Sequence, residues 1–173
     1  LLASPKYDTD WQKAVARNAF INDHTVSYQI GSDLTSVYAS VSMQDVQGLM
    51  KNTWSKRITG NINLQTQINK WLSIQSFITG GNNNSSVPDD EGRFGHGAVR
   101  GMIEMPPIIP VKYEDGTWGR KSDFPLGETA ENPVRLLEDL TMKSMSDFVI
   151  MDLTNNIGFT EDLVLTVKAN MQL

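Results

Sequence analysis

The stretch RITGNINLQT at residues 57–66 decides the fold, because apolar and polar side chains alternate along it. Ile62 and Leu64 fall on one side, whereas Asn61 and Asn63 fall on the other. A period of two is the pattern of a β-strand that has one apolar and one polar face. The stretch therefore predicts a strand whose two faces meet different surroundings.

The same alternation recurs along the chain and predicts an all-β, antiparallel protein. The other five runs cover residues 24–31, 35–44, 71–78, 146–157 and 162–173. Six strands of about ten residues each are longer than the roughly five or six residues typical of soluble sheets. They match the roughly 9–11 residues of a strand that crosses a bilayer at a tilt. The polar-face candidates, which would line the interior of a barrel, are Tyr38, Asn61, Asn63, Gln75, Asp152 and Lys168.

The connections between these strands alternate in length. Short turns are predicted at residues 31–34, 68–70 and 158–162, and longer connections at residues 45–56 and 80–142. Short turns at one rim and long loops at the other are typical of an outer-membrane barrel, whose long loops lie outside the cell. We therefore predict a transmembrane β-barrel segment of about six strands with one long extracellular loop.

Turn positions also predict how the last two strands pair. If Thr160 lies at the centre of the final turn, Asp152 lies directly opposite Lys168 on the polar face. This pairing predicts an ion pair in the barrel interior that also binds a plug or solvates substrate.

The long loop, residues 80–142, contains two recognisable elements. Residues 97–105 predict a short helix that ends at Pro106, with an apolar face made of Val99, Met102 and Ile103. A turn sequence follows between residues 108 and 118 and predicts a hairpin. Its aromatic side chains, Tyr113 and Trp118, are candidates for contact with a ligand or a partner protein, although packing within the loop is the more ordinary role.

Composition excludes several classes of function. The chain has 173 residues, a formal net charge of -5 and no cysteine. An acidic chain argues against nucleic-acid binding, and no apolar run approaches the roughly 20 residues of a transmembrane helix. Neither His24 nor His96 has a nucleophile and a carboxylate at a recognisable spacing, and the acidic run at residues 88–92 lacks the alternating ligands of a calcium loop. We expect no catalysis, no metal and no cofactor.

Residues 9–52 resemble the start of the barrel in TonB-dependent outer-membrane transporters of the SusC/RagA type. In that family an Asp-Trp-Gln segment ends the plug, and a His-led strand, a Gly-Ser turn and a strand that ends in a Gln-Gly loop follow. The resemblance continues through residues 55–74, 97–119 and 131–144, in the same order. The order and spacing of these fragments make the resemblance specific.

The resemblance implies a large barrel in the outer membrane that is filled by an N-terminal plug. It also implies a SusD-like surface lipoprotein as a lid, TonB as the energy-coupling partner, outer-membrane lipid around the wall, and glycans or peptides as cargo for nutrient uptake. The chain would be an internal fragment, with residues 1–19 ending the plug and residues 20–173 forming part of the barrel. A TonB box and most of the plug are not found in it.

Two other functions fit the same alternation. In a soluble β-sandwich or lectin-like binding module, the apolar faces would meet a second sheet. In a passive porin, the barrel would lack a plug and energy coupling. The sequence does not distinguish glycan from peptide cargo.

Overall fold

The computed structural model describes residues 5–88, 97–123 and 131–173. Its strands are β1 (Ile21–Gly31), β2 (Thr35–Gln47), β3 (Trp54–Asn69), β4 (Leu72–Pro88), β5 (Thr141–Gly158) and β6 (Val164–Gln172). Its helices are α1 (Trp11–Val15), α2 (Ala98–Glu104) and α3 (Pro133–Asp139), with a 3₁₀ turn at Lys121–Asp123. The six strands form one sheet in the order β1-β2-β3-β4-β5-β6, in which each strand pairs with its neighbours in sequence. The predicted all-β, antiparallel fold is confirmed.

The strands extend further than the alternation predicts, and the long connection is correspondingly shorter. β4 continues to Pro88 and β5 begins at Thr141, so residues 80–88 and 141–142 are strand rather than loop. The polar run from Gly81 to Ser86 concealed this extension, because asparagine and serine resemble loop residues in composition. Here hydrogen bonding to neighbouring strands overrides that local preference.

The chain forms two compact units, which we call the sheet unit and the loop unit. The sheet unit contains Ile21–Asp45, Lys56–Asn84 and Met145–Leu173. The loop unit contains Leu1–Phe20, Val46–Ser55 and Ser85–Ser144. The expected boundary near residue 19 is therefore only one of several crossings between the units, and the assignment of residues 1–19 to a plug stays a prediction.

Three short connections lie side by side at one end of the sheet unit. The carbonyl of Trp71, in the β3–β4 turn, accepts from Gly158 N at the end of β5 (2.8 Å). The carbonyl of Leu34, in the β1–β2 turn, accepts from Gln67 N near the end of β3 (2.7 Å). Asn69 Oδ1 closes the β3–β4 turn by accepting from two backbone N–H groups at 2.9 Å, which is the usual role of asparagine in a turn.

The apolar side of the sheet is exposed. Val26, Val41 and Ile62 expose 76%, 58% and 50% of their surface, and together with Ile78 they line a shallow depression of about 550 Å³. Every buried apolar side chain in the described residues lies in the loop unit instead; these are Trp11, Val15, Ala98, Met105, Ile109, Leu136 and Leu137. The sheet therefore has an apolar surface but supplies none of the buried apolar core.

The loop unit is held by two small apolar clusters. Trp11 packs with Met105 and Ile109, while the second cluster is built from Val15, Ala98, Leu136 and Leu137. The indole N–H of Trp11 donates to the carbonyl of Pro106 (3.0 Å), so the one polar atom of this buried ring is satisfied. The short helices pack around these clusters, and they need this packing because isolated helices of such length are unstable in water.

The helix predicted at residues 97–105 is confirmed as α2, but of its predicted apolar face only Met102 packs against the buried side chains. Val99 and Ile103 are 42% and 70% exposed, whereas Ala98 and Gly101 are buried. A Cβ added to Gly101 would lie 2.8 Å from the carbonyl oxygen of Glu131. Because the backbones of two segments approach closely here, only small residues fit on the buried face of α2. The hydrophobicity of the sequence alone does not predict which face is buried.

Asn132 links three parts of the loop unit. Its side chain is buried, and its Oδ1 accepts from the N–H groups of Val134 (3.1 Å) and Arg135 (3.3 Å) at the start of α3. Its Nδ2 donates to the carbonyls of Val111 (2.9 Å) and Gly119 (3.1 Å). One amide therefore caps a helix and holds both strands of the neighbouring hairpin.

We predict that Asn132→Ala destabilises the loop unit by about 2–3 kcal/mol, because the helix cap is lost and two buried carbonyls lose their donor. Hydrogen exchange of residues 131–140 measures the change as faster exchange in the full-length protein. The exposed Asn18→Ala is the matched control and should leave the exchange rate unchanged. Equal exchange in both variants would show that Asn132 does not hold the unit together.

Candidate functional site

Four of the six polar-face candidates line one depression on the sheet. Tyr38, Asn63, Gln75 and Asp152 come from four successive strands, β2 to β5, and border a depression of about 310 Å³. They meet because each occupies the same face at neighbouring positions of the antiparallel sheet. Their lining is mostly uncharged, with amides, hydroxyls and a single carboxylate.

The other two polar-face candidates lie beside this depression. Asn61 Nδ2 donates to Ser40 Oγ (3.3 Å) across the β2–β3 pair. Lys168 lies on β6 directly opposite Thr154, which itself lines the depression. The assignment of all six residues to the interior of a barrel remains a prediction.

The predicted direct pairing of Asp152 with Lys168 is wrong. Asp152 lies opposite Asn170, whose Nδ2 donates to Asp152 Oδ1, and Lys168 lies opposite Thr154. The final turn is centred on Glu161 rather than Thr160, since Phe159 pairs with Leu163. This moves the register by two residues, so the faces are preserved while the partners change.

Phe77 is a member of the depression that the sequence analysis missed. Its position two residues after Gln75 was the available signal, because alternate residues of a strand share a face. Because its side chain is apolar, the sequence analysis did not assign Phe77 to the polar face. A second polar depression nearby contains Asp23, which accepts from Gln44 Nε2 (3.2 Å), and Arg57.

Polar pairs mark both ends of the apolar side of the sheet. They are the Asp45–Lys56 ion pair (3.3 Å) and the Asn82–Asp147 hydrogen bond (2.6 Å) at one end, and the Thr35–Thr66 hydrogen bond (2.7 Å) near the short turns. Between these pairs the side chains on this side are mainly apolar. The apolar side is thus a band of limited height. The alternation within single strands predicts the apolar face but not where the band ends.

The hairpin predicted around residues 108–118 is confirmed as a small bridge between Lys112 and Trp118. Gly116 has a φ of 83° in its turn, a conformation that favours glycine. The Lys112 Nζ lies 3.9 Å from the centroid of the Trp118 ring and pairs with Glu138 at 3.2 Å. One face of Trp118 is therefore covered by a cation of the same unit.

Tyr113, the second aromatic candidate in this hairpin, also has partners within the loop unit. Its ring meets Tyr7 edge to face with centroids 6.1 Å apart, and its hydroxyl donates to Asp123 Oδ2 (3.0 Å). The pKa of Tyr113 is raised, mainly by burial and to a smaller extent by the hydrogen bond to Asp123. Contact of Tyr113 or Trp118 with a ligand or partner stays a prediction, and the observed contacts are within the unit.

An exposed ion pair lies beside Tyr7. Lys6 Nζ donates to Glu114 Oε1 (2.9 Å). This hydrogen bond raises the pKa of Lys6 and lowers the pKa of Glu114. Both side chains are largely exposed, so water and salt screen the pair and it adds little to stability.

Some predicted features lie outside the described residues: His96 and residues 89–92 of the acidic run. Among residues 5–88, 97–123 and 131–173, no three acidic or histidine side chains lie together as a metal-binding cluster. Within the same ranges, no helix is long and apolar enough to cross a membrane.

The fold is similar to that of a known transporter. A chain in the solved structure of the RagAB peptide transporter matches 96% of this chain with a TM-score of 0.76 and 22% sequence identity. The likeness establishes the fold. The present chain spans only 19% of the length of that chain. No family model and no curated protein matches the sequence.

We predict that Asp152→Cys combined with Asn170→Cys forms a disulfide under mild oxidation. Val149 and Leu173 exchange both backbone hydrogen bonds and are therefore a hydrogen-bonded pair. Hydrogen-bonded and non-hydrogen-bonded pairs alternate along an antiparallel ladder, so residues 152 and 170 form a non-hydrogen-bonded pair. Their Cα atoms are then about 4.5 Å apart, within reach of a disulfide. The chain has no cysteine of its own, so a gel shift under non-reducing conditions measures the bond directly.

The control for this experiment combines Asp152→Cys with Lys168→Cys. These positions are diagonal and about 7–8 Å apart, beyond the usual reach of a disulfide. Faster cross-linking of the control pair would favour the register in which Asp152 lies opposite Lys168.

Proposed function

We propose that this chain is part of the wall of a TonB-dependent outer-membrane transporter of the SusC/RagA type. The observation that carries the proposal is the exposed apolar band of the sheet, with polar pairs at both ends. An apolar face that no protein layer buries is unfavourable in water. Hydrocarbon removes that cost, because the side chains leave water while the strands keep their backbone hydrogen bonds.

The height of the band supports a membrane location. From Thr35 to Asp45 along β2, the strand covers about 33 Å at about 3.3 Å per residue. A strand tilted by about 40° spans about 25 Å along the membrane normal, the height of the apolar band in outer-membrane barrels. The Asp45–Lys56 pair would then lie at one interface and the Thr35–Thr66 pair at the other.

The opposite face suits an aqueous interior. Amides, hydroxyls and Asp152 line its depression, beside the aromatic rings of Tyr38 and Phe77. Such a surface hydrates well and offers donors and acceptors to polar cargo. The fold that this chain shares with part of the RagAB peptide transporter supports a transporter-related role.

In this proposal the mechanism is conformational rather than chemical, and the protein is not an enzyme and uses no cofactor. A SusD-like lipoprotein closes over the barrel, and TonB acts on a plug to open a path for glycans or peptides. The present segment supplies wall, interior lining and a large extracellular loop. β1 and β6 end the sheet, and further strands of the same barrel would pair with their free edges.

The soluble β-sandwich would need a second sheet over the apolar band. The passive porin would need neither plug nor TonB. Fractionation of cells that express the full-length protein distinguishes the β-sandwich from the transporter. Recovery of the protein in aqueous buffer without detergent would contradict the transporter. Uptake of labelled oligopeptides and oligosaccharides, with and without TonB, separates the second, because TonB-independent uptake would indicate a porin.

We predict that Ile62→Arg destabilises the inserted protein by about 2–4 kcal/mol, because the cation enters the apolar part of the bilayer. Unfolding by urea in lipid vesicles measures the change for the full-length protein. Asn63→Arg is the matched control, since its side chain points to the polar face one residue away. Leu165→Arg, on β6, should cost less, about 0–1 kcal/mol, because Leu165 lies beside the short turns and therefore near an interface. Equal stability of the Ile62 and Asn63 variants would contradict the lipid-facing assignment.

A further inference from the structure

Asp152 carries an uncompensated charge in the polar-face depression. Its side chain is half-buried, and in the part of the chain that the structure describes its one hydrogen bond comes from Asn170 Nδ2. Asn170 contacts Oδ1, so Oδ2 keeps its capacity to accept. A carboxylate that is partly removed from water gains most from a cationic partner.

Lys168 does not neutralise this carboxylate. It lies opposite Thr154, two pairs further along the sheet, and forms no ion pair with Asp152 within the described ranges. The remaining lining of the depression carries no charge: beside amides and hydroxyls it contains two aromatic residues, Tyr38 and Phe77. Aromatic rings and a carboxylate each attract positive charge, so together they favour a bound cation. The amide oxygens can in addition accept hydrogen bonds from the N–H groups of that cation.

We propose that the depression bounded by Tyr38, Gln75, Phe77 and Asp152 is a subsite for the guanidinium or ammonium group of a basic side chain. The inference rests on the proposed function, in which this face lines the aqueous interior of the barrel. Its volume of about 310 Å³ is at the lower end of ligand sites, which suits one side chain better than a whole cargo molecule.

Two sources can supply such a side chain. One is a basic residue of a peptide cargo that passes along the wall. The other is a basic residue from a segment of the full-length protein that fills the barrel. Both present the same chemistry to Asp152, so the experiment needs one measurement with added ligand and one without it.

The test compares Asp152→Asn with Asp23→Asn in the full-length protein, purified in detergent. Asp23 is a suitable control because it is also a polar-face carboxylate that accepts from a neighbouring amide, yet it lies in a different depression. The probes are two oligopeptides that differ only in arginine or its neutral isostere citrulline. Both are titrated at low and high salt.

If cargo supplies the cation, wild-type protein binds the arginine peptide about fivefold more tightly than the citrulline peptide at low salt. High salt weakens this preference. Asp152→Asn removes the preference and Asp23→Asn keeps it. If the protein's own segment supplies the cation, Asp152→Asn instead lowers the Tm of the ligand-free protein more than Asp23→Asn does, and high salt reduces the difference.

The subsite is overturned if Asp152→Asn and Asp23→Asn agree in both peptide preference and Tm at both salt concentrations. That result leaves the proposed function intact, because membrane insertion and TonB-dependent uptake are measured separately. Recovery of the full-length protein in aqueous buffer would instead overturn the proposed function and the inference with it.

Discussion

The structure depends on an unbroken antiparallel register that keeps apolar side chains on one face of a sheet. Three contacts between β2 and β3 share that register: Thr35–Thr66, Ser40–Asn61 and Asp45–Lys56. A shift by one residue would transfer every apolar side chain of a strand to the polar face. The exposed apolar band, its polar ends and the polar depression all follow from this pairing.

The two units obtain their stability in different ways. In the loop unit, short helices surround buried side chains such as Trp11 and Leu137, and Asn132 satisfies backbone groups that the helices and hairpin leave open. The sheet unit has backbone pairing but leaves its apolar side chains exposed. In the proposed transporter, lipid supplies the apolar surroundings that a core supplies elsewhere.

Local alternation was sufficient to predict the sheet because a strand's faces depend only on the period of its own sequence. It could not predict partners, since a turn centred on Glu161 instead of Thr160 changes which residue meets Asp152 without changing any face. It also missed α1 and α3, because these helices depend on distant partners of Val15 and Asn132. Of the candidate site, the polar faces were predictable, whereas Phe77 and the isolation of Asp152 required the three-dimensional arrangement.

The exposure of the apolar band to hydrocarbon is the central claim, and an environment scan of residues 58–65 tests it most directly. Each position receives a single cysteine carrying a fluorophore in the full-length protein inserted in vesicles, and quenching is measured with a lipid-soluble and a water-soluble quencher. The account predicts strict alternation, in which Ile58 and Ile62 respond to the lipid-soluble quencher and Asn61 and Asn63 to the water-soluble one. The same response at neighbouring positions, or lipid quenching at none of them, would contradict it.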